Sequence, residues 1–465
     1  MNSSGADALL AAWAKVVERF SDHAAIFETS GAVARSFREI DAEATQLEKG
    51  ELSPVSAGSV VAIETGNHFA WPALLIACLR RRAVILPLES TMGERDRSAA
   101  IETCGVSAII TAKEGKLSIE MVREVSDIAW AGPVPVLLKL TSGTTAAPRG
   151  IRFRSEQLLA DCTQICDTMG IVADDLNFGV VPISHSYGFS NLLTPLVARG
   201  VPLVLSRDRM PRAVLDGLAR TGATVFAGMP VFYQAFAEMD DPPPLPRLRL
   251  CISAGAPLPL ELARKFRDKF GLSIHSFYGS SECGGICYDR EAALEESGLV
   301  GEAMTGVKVE LADAAEGASR VRVRSSAVGD GYFPVAEEER LGHGWFAPDD
   351  LMAKTAHGLR IVGRVSDLIN VAGKKVNPAD VEAELLAHAA VRSAVAFARE
   401  SATRNQEVAA CVVAQTDVTE RALLDHCRRR LSGWQVPKRI FFIDEIPTNE
   451  RGKVSRRELA ARFAR

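Results

Sequence analysis

Residues 137–150 read LLKLTSGTTAAPRG, a short apolar run followed at once by small and hydroxyl-bearing residues. The apolar run predicts a strand, and the segment after it predicts a tight loop in which hydroxyl and amide donors lie close together. Such a loop can bind a chain of phosphates, because these groups donate hydrogen bonds to phosphate oxygens. Taken alone, the same stretch is also compatible with a flexible, Ser/Thr-rich surface loop.

The spacing of this loop differs from the commonest nucleotide-binding and hydrolase motifs. The chain contains no G-x-x-x-x-G-K-[ST] motif, no G-x-G-x-x-G motif and no G-x-S-x-G motif. These absences argue against a Walker-type NTPase, a dinucleotide-binding enzyme and an α/β-hydrolase.

Composition predicts a multidomain globular protein without a nucleic-acid or membrane partner. The chain has 465 residues, 47% of them hydrophobic and 24% charged, and a net charge of -4 that provides no broad basic surface. The apolar run Phe69–Leu79 is too short to cross a bilayer, and no secretory signal is apparent. The nine cysteines lack the spacing of zinc sites. We therefore expect a cytoplasmic protein with reduced thiols.

The order of the predicted elements indicates an α/β protein. From about residue 57 to 360, short β-branched runs alternate with helical patterns, which predicts mixed or parallel sheets covered by helices. Between 306 and 359 the pattern changes to strands and turns and predicts a small β-rich subdomain. The remainder predicts a small, mobile α+β domain. We place an N-terminal domain at 1–365 and a C-terminal domain at 366–465.

Five further stretches follow the first in a fixed order. They are SAGAPL (253–258), FYGSSE (277–282), GWFAPDDL (344–351), GRVSDLINVAGKKVNP (363–378) and PTNERGKVSR (447–456). Together with residues 137–150, they resemble the signature motifs of the ANL superfamily of adenylating enzymes, in particular its AMP-dependent acyl- and aryl-CoA synthetases. The resemblance spans residues 137 to 456.

The resemblance implies a site for ATP and Mg²⁺. Tyr278 would stack on adenine, Glu282 would hold Mg²⁺, and Asp350 with Arg364 would bind the ribose. A buried aromatic, a surface carboxylate and a turn-capping aspartate are the respective structural alternatives for Tyr278, Glu282 and Asp350. The other nucleotide-binding residues implied by the motifs are Thr141, Ser142, Gly143, Thr144, Thr145, Arg149, Gly255, Ala256, Pro257, Gly279 and Ser281.

Lys453, Glu282 and His185 are the predicted catalytic residues. The resemblance implies that the Lys453 ammonium stabilises the negative charge that develops when a carboxylate attacks the α-phosphorus. Its alternative is a solvated basic tail. His185 lies where many acyl and aryl members carry a pocket aromatic or His, and a satisfied core histidine is its equal alternative. Arg439, Arg456 and Arg457 are expected to be surface charges.

A second half-reaction is also implied. The C-terminal domain would rotate about Ser366, and Ala372 with Gly373 would then line a path for a thiol. Coenzyme A and the phosphopantetheine of a carrier protein are both compatible with the sequence. Three residues depart from the family pattern: Arg149 replaces a Lys, Asn370 replaces a Lys, and Ser366 occupies the usual place of a hinge Asp or Lys. Asp349 also precedes the predicted ribose aspartate where Gly is usual.

The acid would bind among small and apolar residues, which favours an aryl or a medium aliphatic acid over one with a charged tail. The absence of an aspartate near His185 argues against an α-amino acid. The predicted pocket residues are Tyr187, Gly188, Phe189, Gly228, Met229, Ser253, Gly284 and Gly285.

The sequence therefore predicts an AMP-forming acid–thiol ligase. A stand-alone acyl-AMP ligase that loads a carrier protein without using coenzyme A is the main alternative. A non-catalytic nucleotide-binding regulator is a remote alternative, because the predicted charged residues Glu282, Asp350, Arg364 and Lys453 are all present.

Overall fold

The computed structural model describes residues 7–113, 115–123, 128–130, 132–141, 148–292, 296–315, 318–371, 374–401, 405–447 and 454–463. The chain divides into two compact units. The first contains Met1–Glu310, Arg322–Pro348 and Ala356–Leu359, and the second contains Leu311–Val321, Asp349–Thr355 and Arg360–Arg465.

The strands of the described chain are β1 (Ala24–Phe27), β2 (Val33–Ser36), β3 (Val60–Glu64), β4 (Val84–Pro87), β5 (Val106–Lys113), β6 (Lys116–Met121), β7 (Leu137–Leu140), β8 (Gly150–Phe153), β9 (Asn177–Gly179), β10 (Leu203–Leu205), β11 (Val225–Gly228), β12 (Leu250–Ser253), β13 (Ile274–Ser280), β14 (Gly284–Tyr288), β15 (Leu299–Ala303), β16 (Val307–Ala315), β17 (Ala318–Ser325), β18 (Gly331–Phe333), β19 (Leu341–Gly342), β20 (Trp345–Phe346), β21 (Asp350–Thr355), β22 (Gly358–Arg364), β23 (Ile369–Val371), β24 (Lys374–Val376), β25 (Val391–Ser401), β26 (Asn405–Ala414) and β27 (Arg439–Phe442).

The α-helices of the same residues are α1 (Ala8–Phe20), α2 (Phe37–Lys49), α3 (Trp71–Arg80), α4 (Glu94–Thr103), α5 (Ser155–Met169), α6 (Ser186–Gly188), α7 (Thr194–Arg199), α8 (Pro211–Thr221), α9 (Pro230–Glu238), α10 (Leu260–Phe270), α11 (Pro378–Leu386), α12 (Glu420–Arg428) and α13 (Arg456–Arg462). A π-helical turn, Phe189–Leu193, joins α6 to α7.

Seven strands of the first unit form one sheet, in the order β18-β8-β7-β4-β3-β5-β6. Its central strands β3, β4, β5 and β7 are parallel, and β8 and β18 continue the sheet in antiparallel pairs. The apolar runs Val60–Glu64 and Val84–Pro87 are buried almost throughout, as expected for parallel strands covered on both faces.

A second set of strands in the first unit runs in the order β15-β14-β13-β12-β11-β9-β10-β1-β2. Six neighbouring strands of this set pair in parallel, namely β13, β12, β11, β9, β10 and β1. Ligands of such sheets bind beyond the carboxyl ends of the strands, which here are the ends of β11, β12 and β13.

The second unit has its own sheet and its own core. β24, β23, β26 and β25 are neighbours in that order, and β27 pairs in parallel with β26. Helices α11 and α12 place Val381, Leu385 and Leu423 against this sheet in a buried apolar cluster. The predicted α+β tail is therefore present, and strands β16 to β22 provide the predicted β-rich region.

All nine cysteines lie within the described residues, and each is buried and free. None of the helices in the described part of the chain is long and apolar enough to span a membrane.

Candidate active site

The predicted phosphate loop connects the two strands of a hairpin. β7 and β8 are antiparallel, with Leu140 opposite Gly150, and the Thr141 N–H donates to the Arg149 carbonyl at 2.9 Å. The strand predicted before the loop is therefore present. Ser142, Gly143, Thr144 and Thr145 lie outside the described residues.

A chain of contacts joins the base of this hairpin to Glu282. The Arg149 guanidinium lies 4.5 Å from the centroid of the Tyr332 ring and pairs with Glu337. The Tyr332 hydroxyl donates to Glu282 Oε1 at 3.0 Å, and the Ser280 hydroxyl contacts Oε2 of the same carboxylate. Both oxygens of the predicted Mg²⁺ ligand are therefore oriented by neighbouring hydroxyls.

Tyr332 remains a neutral hydrogen-bond donor. Burial raises the pKa of its hydroxyl, and the nearby negative charge of Glu282 raises the pKa further. Strand pairing explains its position, because β18 places Tyr332 opposite Ile151 on β8. No motif predicts a role for Tyr332, because its partners Glu282 and Arg149 are distant in the chain.

Glu282 follows the end of β13 in a narrow hairpin with β14. Tyr278 is half-buried in β13, opposite Cys287 of β14. Gly279 is exposed, and a Cβ at this position would lie 2.7 Å from the Gly284 carbonyl oxygen. The hairpin therefore requires glycine at position 279.

The SAGAPL motif, residues 253–258, forms the turn that leads from β12 to α10. Gly255, Ala256 and Pro257 are exposed there, and Gly255 has a φ of +85°, which favours glycine. The register of the parallel strands places Ser253 beside Gly228 of β11 and Ser276 of β13. Gly228 and Ser253 therefore lie at the carboxyl ends of β11 and β12.

His185 caps the N-terminus of α6. Its Nδ1 accepts a hydrogen bond from the Tyr187 N–H at 3.2 Å. Next to it, the Ser186 hydroxyl donates to the Ser281 hydroxyl at 2.8 Å, which ties this helix to the hairpin that carries Glu282. His185 therefore has a structural role in addition to the catalytic role proposed for it.

The predicted pocket residues differ in what surrounds them. Tyr187 and Phe189 are buried, and the Tyr187 ring lies 5.8 Å from the Phe277 ring. A Cβ at Gly188 would lie 2.1 Å from the Pro182 carbonyl oxygen, so close backbone packing explains this glycine. Met229 precedes α9, and its side chain lies 3.8 Å from a Cβ built on Gly255.

Gly284 and Gly285 also have packing roles. A Cβ at Gly284 would lie 2.0 Å from Asp161 Oδ1, and one at Gly285 would lie 2.5 Å from Met304 Sδ. The Asp161 carboxylate accepts a hydrogen bond from the Gly285 N–H at 3.0 Å. The space beside these two glycines is therefore filled by protein atoms.

Lys139 is a buried lysine that is not among the predicted site residues. Its Nζ lies 3.3 Å from the Ser190 hydroxyl and 4.7 Å from the centroid of the Phe153 ring. Desolvation lowers the pKa of Lys139, although the negative charge of Asp161 opposes this effect. A lysine among leucines in a predicted strand is the only signal that could have identified it.

In the second unit, Asp350 and Arg364 form the expected pair. Arg364 Nε donates to Asp350 Oδ1 at 2.9 Å, and Asp350 is buried at the start of β21. The preceding Asp349 instead accepts a hydrogen bond from the Ser366 N–H at 3.2 Å. This arrangement favours Asp350 as the ribose ligand and gives Asp349 a role at the predicted hinge.

Lys453 of the terminal motif and the predicted thiol-path residues Ala372 and Gly373 lie outside the described residues. Arg456 is the last residue of the terminal motif and is predicted from the sequence to be a solvated surface charge. Its guanidinium contacts Asp367 at 2.8 Å, Glu382 at 2.8 Å and the Ala396 carbonyl at 3.0 Å. The prediction of a solvated surface charge is wrong for Arg456, because three acceptors from different segments contact its guanidinium.

Comparison with known proteins defines the family. An AMP-binding enzyme model matches residues 13–333, and an AMP-binding enzyme C-terminal domain model matches residues 380–453. The chain therefore belongs to the AMP-binding enzyme family.

The relatives are similar along most of their length. The chain is 28% identical to a feruloyl-CoA synthase from Amycolatopsis sp, with 98% of this chain and 99% of the relative covered. It is 25% identical to an oxalate–CoA ligase from Arabidopsis thaliana, with 88% and 89% covered. The structure of ATP-bound MatB from Rhodopseudomonas palustris matches with a TM-score of 0.83 at 23% identity, covering 97% of this chain and 98% of that chain.

These comparisons confirm three predictions. The resemblance to the ANL adenylating enzymes is confirmed by the two family models, and the α/β fold class by the architecture of the matching structure. The class of enzyme, an AMP-forming ligase similar to acyl-CoA synthetases, is confirmed by the family and by relatives named as CoA ligases and synthases.

Proposed function

We propose that this enzyme joins a carboxylic acid to a thiol in two half-reactions. In the first, a carboxylate oxygen attacks the α-phosphorus of ATP, a new O–P bond forms, and pyrophosphate leaves. In the second, a thiolate attacks the acyl carbonyl, a thioester forms, and AMP leaves. Membership of the AMP-binding family and the names of the relatives support this reaction.

The position of Glu282 is the observation on which the proposal mainly rests. Its carboxylate is held by Tyr332 and Ser280, and Tyr332 in turn stacks on Arg149 at the base of the phosphate-loop hairpin. A carboxylate oxygen suits Mg²⁺, which prefers hard oxygen ligands and retains several waters. When bound, the ion would neutralise phosphate charge, and Glu282 is the residue that would hold it.

The remaining nucleotide contacts follow the family motifs. The Tyr278 ring would stack on adenine, and Asp350 would accept hydrogen bonds from the ribose hydroxyls with Arg364 beside it. Lys453 would place its ammonium next to the oxygens that gain negative charge during the attack. His185 would act as a catalytic residue where the carboxylic acid binds.

The second half-reaction would use the C-terminal domain, proposed at 366–465, in a second orientation. Rotation about Ser366 would remove Lys453 from the reaction centre and bring Ala372 and Gly373 to the thiol path. The proposed acceptor is coenzyme A or a carrier-protein phosphopantetheine, as the thiol chemistry is the same for both.

The proposed acid is an aryl or a medium aliphatic acid. Tyr187, Phe189 and Phe277 are buried aromatic residues, and Tyr187 lies against both β12 and the Phe277 ring of β13, which favours a flat or apolar acyl group. The two named relatives act on different acids, feruloyl and oxalate, so the acid must be inferred from this chain's own residues.

Acid-dependent exchange of labelled pyrophosphate into ATP tests the first half-reaction. The wild-type protein should catalyse exchange with Mg²⁺ and an aryl or aliphatic acid. Lys453→Ala should lower exchange by about 100-fold or more, because one electrostatic contact to the transition state is lost. ATP binding measured by calorimetry should change by less than about threefold.

Lys438→Ala is the matched control, since Lys438 is exposed in the same unit, and its exchange should equal that of the wild type. Wild-type exchange by Lys453→Ala would refute the catalytic role. ATP binding without exchange across a broad panel of acids would instead favour a nucleotide-binding regulator.

A thioester assay with coenzyme A in one arm and a phosphopantetheinylated carrier protein in the other identifies the acceptor. Thioester only with the carrier protein would identify a stand-alone acyl-AMP ligase.

A further inference from the structure

The loop after β3 connects the seven-stranded sheet to the second set of strands in the first unit. Asn67 lies in this loop and is 8% exposed. Its amide nitrogen donates to the Val181 carbonyl at 3.3 Å and to the Ser206 carbonyl at 3.0 Å. Its Oδ1 accepts a hydrogen bond from the Ile183 N–H at 3.0 Å. Because these partners follow β9 and β10, one side chain bonds two segments of the other sheet.

Arg207 strengthens the same junction from the side of the second set. Its Nε donates to the Asn67 carbonyl at 3.1 Å, and its guanidinium lies 5.6 Å from the centroid of the Phe69 ring. Arg207 is exposed, whereas Asn67 and its three amide partners are buried. Buried hydrogen bonds are costly to break, because each group would lose its partner without gaining water. The junction is therefore expected to be rigid.

The partners of Asn67 require a short side-chain amide. A carboxamide has two N–H donors and one acceptor oxygen, and here these groups face two carbonyls and one N–H. The reverse orientation of the amide would place like groups opposite each other at all three contacts. Aspartate would lose both donors, and leucine would lose the acceptor as well.

The junction lies at the edge of each sheet where the reactants are proposed to bind. β3, β4 and β7 are parallel, so the loop with Asn67 is at the same edge as the phosphate loop that follows β7. β9, β10, β11 and β12 are also parallel, so Val181 and Ser206 are at the edge where β11 and β12 end. One sheet would therefore hold the phosphates and the other the acid.

Resting on the proposed function, we propose that Asn67 is a positioning residue that sets the geometry between the phosphate-binding and acid-binding halves of the site. It acts through the segment that it bonds, and His185 follows Ile183 by two residues. A misplacement of about 1 Å between reacting groups can lower a rate about 100-fold. Each half would still bind its own reactant, since the contacts within each half do not involve Asn67.

Steady-state pyrophosphate exchange tests the positioning role. Asn67→Ala should lower kcat by about 30-fold or more and leave KM for ATP and for the acid within about threefold, because geometry and not binding is lost. Arg207→Ala removes the exposed part of the junction and should lower kcat by about fivefold with the same KM pattern. Thermal unfolding identifies a misfolded variant. If Asn67→Ala does not fold, Arg207→Ala decides the test.

Asn177→Ala is the matched control. Asn177 is 1% exposed, and its amide nitrogen donates to the Asn191 carbonyl at 3.3 Å. It lies at the start of β9 and bonds within the second set of strands, not between the sheets. This variant also loses a buried amide, and it should keep the wild-type kcat.

Hydrogen exchange of the Ile183 amide provides a readout that does not depend on the reaction. The Asn67 carboxamide accepts this N–H, so the amide should exchange about tenfold or more faster in Asn67→Ala. Its exchange should remain unchanged in Asn177→Ala. Unchanged exchange in Asn67→Ala would show that the bond does not hold this segment and would overturn the proposal.

The kinetic outcomes separate the two proposals. Wild-type kcat in the Asn67 and Arg207 variants overturns the positioning role and leaves the ligase function standing. A loss explained by higher KM for both reactants, or an equal loss of kcat in Asn177→Ala, does the same. Absence of exchange by the wild type with every acid overturns the ligase function itself.

Discussion

Tyr332 connects two parts of the candidate active site through a single side chain. Its ring lies under the Arg149 guanidinium, and its hydroxyl donates to the Glu282 carboxylate. A neutral donor next to a carboxylate that is proposed to hold Mg²⁺ would fix its orientation without competing for the metal. The carboxylate can therefore bind a cation without first reorganising.

Replacing Tyr332 by Phe should lower kcat/KM for MgATP by about tenfold, because outer-shell partners of metal ligands contribute on this scale. Pyrophosphate exchange at varied Mg²⁺ concentration measures the effect, and part of the loss should be recovered at high Mg²⁺. Tyr288→Phe removes another buried tyrosine hydroxyl, on β14, and should leave the Mg²⁺ dependence unchanged. An unchanged Mg²⁺ dependence in Tyr332→Phe would contradict the role proposed for this hydroxyl.

Lys139 is a buried residue whose surroundings disfavour its charged form. Its ammonium is buried between Phe153 and Ser190, and desolvation lowers the pKa of Lys139 despite the negative charges of Asp161 and Glu282. Because the folded state binds this proton less well than the unfolded state, Lys139 destabilises the fold wherever it is charged in both states. That penalty is complete below the folded pKa and decreases as pH rises toward the ordinary value of 10.5.

Lys139→Met should therefore raise the free energy of unfolding at neutral pH, because the unfavourable burial of the ammonium is removed. The advantage over the wild type should shrink as pH approaches 10.5. Thermal unfolding at several pH values measures both effects. Lys116→Met alters an exposed lysine on β6 and should change neither quantity. A constant difference at all pH values would contradict the assignment.

At the scale of elements, Arg456 joins the start of α13 to two other segments. Its side chain contacts Asp367, next to the proposed hinge residue, and Glu382 of α11. Lys453 precedes Arg456 by only three residues in the sequence, so we propose that Arg456 positions the terminal motif. Three different nitrogens of Arg456 donate to these acceptors and to the Ala396 carbonyl, and only a guanidinium provides three donor nitrogens in one plane.

Arg456→Lys should reduce kcat of pyrophosphate exchange by about tenfold and leave KM for ATP within about twofold, since Arg456 would position the catalytic lysine and not bind the nucleotide. Steady-state exchange kinetics distinguish the two parameters. Arg439→Lys replaces an exposed arginine on β27 and provides the control. An increase in KM alone would contradict a positioning role.

The sequence predicts those parts of the site whose chemistry lies within one continuous motif. Glu282 and Asp350 belong to such motifs, and the structure places them just after β13 and at the start of β21. Tyr332 and Arg456 could not be identified in this way, because their contacts are with residues that are distant in sequence. Arg456, for example, contacts residues 74 and 89 positions away. Periodicity and local spacing contain no information about such contacts.

At the scale of the whole molecule, the two half-reactions would require one chain to adopt two arrangements. Asp349 accepts a hydrogen bond from the Ser366 N–H, and its carbonyl accepts one from the Val365 N–H at 2.8 Å. Both bonds lie at the proposed pivot. A change of backbone angles at Ser366 would have to break or rearrange them.

Ser366→Pro removes one of these donors and fixes φ at this position. We expect thioester formation to fall by about tenfold or more, while pyrophosphate exchange changes by less than about threefold, because only the complete reaction would require rotation. Parallel assays of exchange and thioester formation measure the two rates. Ser432→Pro lies outside the proposed hinge and tests whether a proline elsewhere in the C-terminal domain has the same effect. Equal losses in both assays would contradict a hinge at Ser366.

The pairing of β18 with β8 has a consequence for biosynthesis. β18 completes the edge of the seven-stranded sheet, yet residues 331–333 leave the ribosome long after their partners at 150–152. While translation continues, β8 presents unpaired backbone groups to other nascent chains. Chaperone protection of this edge should therefore matter most during the synthesis of residues 154 to 330. The need for protection should end when β18, the strand that carries Tyr332, pairs with β8.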